Sequence, residues 1–438
     1  MKNDGRRKWV KSLHRVISSH DVRSIICADH MLFSGGVDTY LTLHQYPAYK
    51  TTISIPPSLP CSTGVKVARD ARCLLLTYSQ SLQLWRLGRS SLNTGAIGSD
   101  LPLDAGDPCK LVEVGVKSGE TIVCSAVHST GQYLAYSTNA RLRLLSVSGL
   151  EDNDVSVSRI PLNHDTHPCH HICLWSGSED GLVTMMTLSH TGAQVYEISE
   201  TGDSATLSAS LSLSQLGLSR GISRVSHNNN VAVIVDNTDT VISLDLNKLE
   251  LISKFPGYTE ANISALSLSP DNKTCFIAYS NNRVMEVDTM SGRYTKFSRE
   301  EASKLPKSWL SRRTPVNNIV HLADNTDLVL MTDHSVLAVL DKDKEMPEPS
   351  SKLFFTDPRS TPDASTDSMS VSSFGSQVTT GSRLEQSLSS GLRMSRKYDH
   401  LVSLHHLDKD EIVVVEVKPS VIESQLPPSI KQKKFGSS

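Results

Sequence analysis

The 438-residue sequence has no long apolar run, no excess of either charge, and few aromatic residues (5%). No stretch approaches the roughly 18 apolar residues of a membrane-spanning helix. Lys and Arg number 44 against 46 Asp and Glu, with a pI of about 6.8. That balance gives no global field to attract nucleic acid or an anionic membrane, and leaves only local basic patches. The opening MKNDGRRKWVKSLHR carries charge but no apolar centre, so no secretory signal is expected. The eight cysteines include no C-x2-C pair. In a soluble, intracellular chain they should be reduced, and Cys27, Cys73, Cys124 and Cys275 lie in apolar runs as small hydrophobes. The glycosylation sequons at Asn262 and Asn272 then read as chance. A Gly-rich phosphate loop and a pair of catalytic carboxylates are both missing, so no enzyme activity, cofactor, small-molecule substrate or membrane partner is expected.

What is present is a recurring phrase. The stretch HDVRSIICADHMLFSGGVDTYLTLHQY, 20–46, holds three short apolar runs separated by turn residues. Gly35-Gly36 would break a helix, and alternation between turns reads as successive antiparallel strands. Second-strand runs recur as CLLLTYS (73–79), YLAYSTN (133–139), LVTMMTLS (182–189), NVAVIVDN (230–237), CFIAYSN (275–281) and LVLMTD (328–333). Each is followed by an alternating third strand: SLQLWRL (81–87), RLRLLSV (141–147), AQVYEIS (193–199), TVISLDL (240–246), RVMEVDT (283–289) and SVLAVLD (335–341). First strands precede them, as in ISALSLSPD (263–271) and IVCSAVHSTG (122–131), with SPDN and HSTG as the intervening turns.

With TYLTLHQY as the first, there are seven copies, spaced roughly 40 to 60 residues apart. A period near ~40–45 with four strands per copy indicates an all-β, WD-repeat-like β-propeller of about seven four-stranded blades. A β-sandwich would not repeat one three-strand phrase seven times.

The predicted organisation is a closing strand within 1–19 (KWVKSLHRVIS, 8–18) and propeller blades over 20–345. A Ser/Thr-rich insertion over 346–397 lacks apolar spacing and is expected to be disordered, with many phosphoacceptor residues. Terminal strands over 398–418 (HLVSLHHLD and EIVVVEV) would complete the propeller with the N-terminal strand, and a basic tail follows over 419–438.

Candidate chemistry is sparse. NHDTHPCHHIC gathers His164, His167, Cys169, His170, His171 and Cys173, all of types that bind zinc. The spacing is not that of a structural finger, and strand alternation would send the side chains to opposite faces, so a loop entering a strand is expected. GLSRG (217–221) matches a nucleophile elbow around Ser219 by letter, but that motif needs an α/β sheet. In WD-repeat blades a His before the first strand and an Asp in the turn before the third hydrogen-bond within the blade. His20 and Asp38 occupy those places, and Trp85 takes the Trp position of the next copy, without the Asp. These are degenerate repeats whose marked residues hold the blade and carry no chemistry. Basic clusters are Arg6-Arg7-Lys8, then Lys304, Lys307, Arg312 and Arg313, then Arg393, Arg396 and Lys397, and finally Lys431, Lys433 and Lys434. The cluster around Lys304 and the C-terminal lysines are the candidates for RNA or partner contact.

The phrases HDVRSI…SGGVDTYL, LQLWRLG, LAYST, TKFSRE…WLSRRTPVNNI and the ending QLPPSIKQKKFG resemble the cirhin family, WD-repeat proteins of the small-subunit processome. The resemblance runs from Trp9 to Gly436 and covers only the C-terminal half of that family's chain, which carries two tandem propellers. It implies a non-catalytic scaffold of the nucleus and nucleolus. Its partners would be other processome proteins, of WD-repeat and helical-repeat type, and pre-rRNA, reached directly or through the complex. The implied role is processing toward 18S rRNA, with support of rDNA transcription. The alternative of the same fold is a generic WD-repeat adaptor, such as a ubiquitin-ligase substrate receptor.

Overall fold

The computed structural model describes residues 18, 20–45, 52–55, 64–88, 108–150, 154–163, 166–177, 181–323, 325–348, 390–395, 398, 400–408, 411–417, 424 and 426. Among these, strands form eight antiparallel sheets in which sequence neighbours pair in order. The sheets span 22–55, 65–115, 122–160, 171–212, 222–254, 263–288, 318–341 with 392–395, and 401–416. The sixth has three strands, the eighth is a two-stranded hairpin, and the others have four. The seven repeated phrases are the first seven sheets, but the first of them, 22–55, belongs to a separate unit, and the all-β propeller is built by the sheets of 61–416, with the hairpin 401–416 in place of the first copy. The chain divides into two compact units, 61–416 and a smaller one of 1–60 with 417–438.

Within 61–416, the innermost strands meet in succession: Val65–Ala68, Ile122–Val127, His171–Ser176, Ile222–His227, Ile263–Leu268, Asn318–His321 and Leu401–Asp408. The last of these returns to the first, so seven sheets close a ring. The hairpin 401–416 is held on one side by Asn318 Nδ2 donating to the Leu404 carbonyl at 2.7 Å. On the other side Arg72 pairs with Glu411 at 2.7 Å. The expected closing strand KWVKSLHRVIS lies outside the described residues, except for Ser18.

The apolar runs are explained by where their side chains go. In Val231–Asp236 every residue is buried. Val231, Val233 and Val235 pack against the sixth sheet with Ile263, Cys275 and Ile277, whereas Ala232 and Ile234 pack against the fourth with Met186 and Val195. Likewise Cys275, Ile277 and Tyr279 face the fifth sheet, and Phe276 and Ala278 the seventh. A second strand is covered on both faces, so it reads as continuously apolar although its side chains alternate.

The turn from second to third strand has its own chemistry. Asp236 Oδ1 accepts from the Thr238 and Thr240 amides at 2.8 and 2.9 Å, and Asp333 Oδ1 from those of Ser335 and Val336 at 2.7 and 2.8 Å. Thr138, Ser189 and Asn281 bond amides two or three residues on in the third, fourth and sixth sheets. Asp38 is buried at the same turn of the first sheet, with His20 half-buried before its first strand. The repeat is therefore marked by a side-chain acceptor of variable identity, not by a fixed Asp. Trp85 is half-buried, and its indole donates to Gln83 on its own strand at 3.1 Å, while Leu82 and Leu84 fill the core. In the predicted turn HSTG, Gly131 has φ +74°, and a Cβ there would stand 2.9 Å from Ala71 and Leu150 side chains.

One boundary differs from expectation. Leu392–Ser395 falls within the 346–397 insertion, yet it forms the outer strand of the seventh sheet beside Leu337–Asp341. LRMS is too short to show periodicity, and only pairing reveals that Leu392 (1% exposed) and Met394 (3%) reach the core. Residues 349–389 lie outside the described part.

Both the outer strand and the turn can be probed through stability. Leu392→Ala should cost about 2–5 kcal/mol, read as a lower urea midpoint with unchanged slope. An unchanged midpoint would mean the outer strand adds nothing. Burial alone would raise the Asp236 pKa, but hydrogen bonds from Thr238, Thr240 and Ser219 outweigh it and hold the group down at about 2. With a folded value below the ordinary 3.8, its stabilisation is complete above about pH 4 and is lost as pH falls through about 2. Asp236→Asn should flatten that part of an acid-unfolding profile relative to the parent.

Candidate nucleic-acid and partner interface

The sixth sheet lacks a fourth strand, and the chain instead runs through α1 (Lys296–Glu300), a 3-10 turn (Ala302–Lys304) and α2 (Lys307–Leu310). The apolar residues of this excursion, Phe297, Ala302, Leu305 and Trp309, enter the core shared by the sixth and seventh sheets. They take up the space an outer strand would cover, and the cations between them, Arg299, Lys304 and Lys307, are left facing out. Ser298 anchors the first turn, its hydroxyl donating to the Glu286 carbonyl at 2.7 Å.

Trp309 is fully buried, and its indole donates to the Asn282 carbonyl at 2.7 Å. Asn282, in the left-handed region at φ 62°, donates through Nδ2 to the Arg312 carbonyl at 2.8 Å. The Arg312 guanidinium stacks 3.6 Å above the Trp309 ring, and donates to Asn282 Oδ1 and to Asp333 Oδ2, both at 3.1 Å. Burial brings the Arg312 pKa down to about 10, against the pull of Asp333. Of the four predicted contact residues in this segment, Arg312 is thus taken up inside the fold. Its neighbour Asp333 is the turn acceptor of the seventh sheet, so one carboxylate serves both the turn and the clasp.

Lys304, Lys307 and Arg313 are exposed, with Lys304 paired to Glu301 at 2.7 Å. Lys296 and Arg299, on α1, are also exposed, Lys296 standing 4.0 Å from Glu300. From 296 to 313 there are six cations and two carboxylates, a local charge of +4 in a chain whose net charge is −2. Sequence reasoning missed Lys296 and Arg299 because TKFSRE offers one helical turn, too short for a periodic signal; their three-residue spacing was the available clue. Arg393 is half-buried in its strand. Arg6, Arg7, Lys8, Arg396, Lys397, Lys431, Lys433 and Lys434 lie outside the described residues.

The His/Cys run is distributed rather than gathered. Cys169 and Ile172 pack toward the third sheet, and Cys173 and Trp175 toward the fifth. The rings of His170 and His190 meet at a 55° tilt with centroids 4.2 Å apart. Burial pushes the Cys173 thiol up to about 12. Among the described residues, no three His, Cys, Asp or Glu side chains are grouped to hold a metal ion. Ser219 donates through its amide and hydroxyl to Asp236 Oδ2, both at 3.1 Å, which ties the incoming loop to the turn. Among the described residues, no helix is long and apolar enough to cross a membrane.

The ring of sheets and its turn chemistry define a protein class, the WD-repeat-like β-propeller. No family model matches the chain. Over 99% of its length it is 27% identical to the U3 small nucleolar RNA-associated protein 4 homolog of Mus musculus and 26% identical to that of Homo sapiens. It is also 23% identical over 70% of its length to U3 small nucleolar RNA-associated protein 4 of Schizosaccharomyces pombe. The chain spans 61% of the length of the mouse and human proteins and 43% of the yeast protein. The computationally designed Ika8 protein covers 74% of the chain at TM-score 0.41 and 12% identity, too slight a likeness to carry an argument.

The two kinds of arginine separate by substitution. Arg312→Ala leaves Asp333 buried without its cation and should destabilise by about 3–5 kcal/mol. Arg313→Ala and Lys307→Ala should stay within about 0.5 kcal/mol of the parent. Chemical denaturation of the three variants distinguishes the roles, and equal losses would refute the assignment.

Proposed function

We propose that the chain is a non-catalytic scaffold of ribosome biogenesis that works in the small-subunit processome, in the nucleolus, on nascent pre-rRNA toward 18S rRNA. What supports this most is similarity along 99% of the chain to proteins named for association with U3 small nucleolar RNA. The fold suits the role, because a rigid ring offers two faces and a rim on which several partners can sit at once. The outward cations of 296–313 supply a polyanion-facing surface: Lys296, Arg299, Lys304, Lys307 and Arg313 are exposed, and the core holds the helices that present them. Lys431, Lys433 and Lys434 add charge in the tail. Such a surface would engage phosphates without reading sequence, so partner proteins would set specificity. Support of rDNA transcription belongs to the same reading.

Affinity capture of the tagged chain from nuclear extract should enrich U3 small nucleolar RNA and pre-rRNA over an unrelated propeller. A capture that instead yields ubiquitin-ligase subunits without those RNAs would refute the proposal. With purified protein and single-stranded RNA, the triple variant Lys304→Ala/Lys307→Ala/Arg313→Ala should bind more weakly. It should reduce the slope of log affinity against log salt by about 2, since each phosphate that is no longer neutralised accounts for about 0.7. An unchanged slope would make these residues ordinary surface charge.

A further inference from the structure

Two of the eight cysteines lie against each other, and the scaffold role makes no use of them. Cys124 is on the inner strand of the third sheet, and Cys169 stands just before the inner strand of the fourth. Their sulfurs are 3.9 Å apart, and the Cys124 thiol donates to the Cys169 carbonyl at 3.4 Å. Ser137 is the cross-strand partner of Cys124, and its hydroxyl accepts from the Cys169 amide at 2.9 Å. One residue of the second strand thus holds both cysteines, Cys124 by register and Cys169 by a side-chain acceptor. A disulfide sets its sulfurs about 2.05 Å apart, so an approach of about 2 Å separates the pair from a bond.

The pair is also reachable. Cys169 is only 2% exposed, yet it lines a cavity of about 340 Å³ together with His167, Thr187, Gln194 and Ser210. His167 and Ser210 are exposed, so the cavity opens to solvent. Its polar lining is hydroxyls, amides and an imidazole, with no carboxylate, lysine or arginine, which suits a small neutral polar molecule. The hydrogen bond to Cys169 foremost, then burial, pushes the Cys124 thiol well above the ordinary range. Cys124 therefore keeps its proton and acts as donor toward the other sulfur. Cys173, the next cysteine along the chain, packs toward the fifth sheet and takes no part in the pair.

We propose that Cys124 and Cys169 are a thiol–disulfide site, which hydrogen peroxide entering the cavity oxidises to a bond joining the third and fourth sheets. The Cys169 sulfur, as thiolate, attacks one peroxide oxygen and the O–O bond breaks. The departing hydroxide takes up the proton that Cys169 gave up, leaving as water, and Cys169 becomes a sulfenic acid. The Cys124 sulfur then attacks the Cys169 sulfur, its proton goes to the departing hydroxide, and a second water forms. In sum, two thiols lose two hydrogens and one peroxide becomes two waters. A neutral sulfenic acid no longer holds the Cys124 proton as a thiolate would, so the second step follows the first.

The test treats the purified full chain with hydrogen peroxide, traps remaining thiols with N-ethylmaleimide in denaturant, and maps peptides without reductant. A peptide cross-linked between Cys124 and Cys169 should appear, and dithiothreitol should reverse it. The buried Cys73, Cys173 and Cys275 should stay thiols under the same treatment. Cys124→Ser should abolish the bond and leave a sulfenic acid on Cys169 that dimedone captures. Cys169→Ser should give no adduct on Cys124, and both variants should keep the parent's circular dichroism. The cross-link map reads the parent chain, so a misfolded variant would not mask the result. Peroxide that modifies the exposed Cys27 and Cys109 without yielding the Cys124–Cys169 bond would overturn the proposal. So would a bond from Cys124 to Cys173, or dimedone capture at Cys124 in place of Cys169.

Discussion

The sheets of the 61–416 ring depend on one constraint: each must be covered on both faces by its neighbours. The apolar clusters are shared between sheets, not contained within them. One joins the second and third sheets through Leu75, Leu84, Leu134 and Tyr136, the next joins the third and fourth through Leu144, Ile172 and Met185, and so on around the ring. A sheet removed from this order would expose two apolar faces at once. This is why closure matters more than the strength of any single strand, and why the final hairpin, with only two strands, can still complete the ring. It is held by Asn318 and Arg72 and needs only to present Leu404 and Val414 to Val320 and Leu330.

Closure leaves the turns as the places where the repeat can vary. Asp236, Asp333, Asn281, Thr138 and Ser189 all solve the same problem, the orphan amides of the turn into the third strand. Degeneration of the repeat is chemically cheap as long as an acceptor remains. The sixth sheet shows the next degree of freedom. Its missing outer strand is replaced by a short helical excursion pinned by Trp309 and Arg312, and Asp333 of the following turn is recruited as the pin's counter-ion. The apolar face of the excursion is committed to the core, so its cations are displayed on a rigid support. A basic surface on a fixed frame suits a scaffold better than a charged tail alone would.

The repeat was legible in the sequence because both-face burial writes itself as runs such as VAVIVD and CFIAYS, and the turns as Gly, Asp and Asn between them. The antiparallel order of strands within each sheet followed from the same alternation. Three things were decided only by tertiary structure. LRMS joined the seventh sheet because pairing with Leu337–Asp341, not periodicity, makes a four-residue strand. Arg312 and Arg313, adjacent and identical in type, parted because one lies over Trp309 beside Asp333 and the other does not, a difference no local pattern records. Arg72 gained Glu411 as its partner because ring closure brings together residues about 340 positions apart, and sequence proximity carries no trace of that.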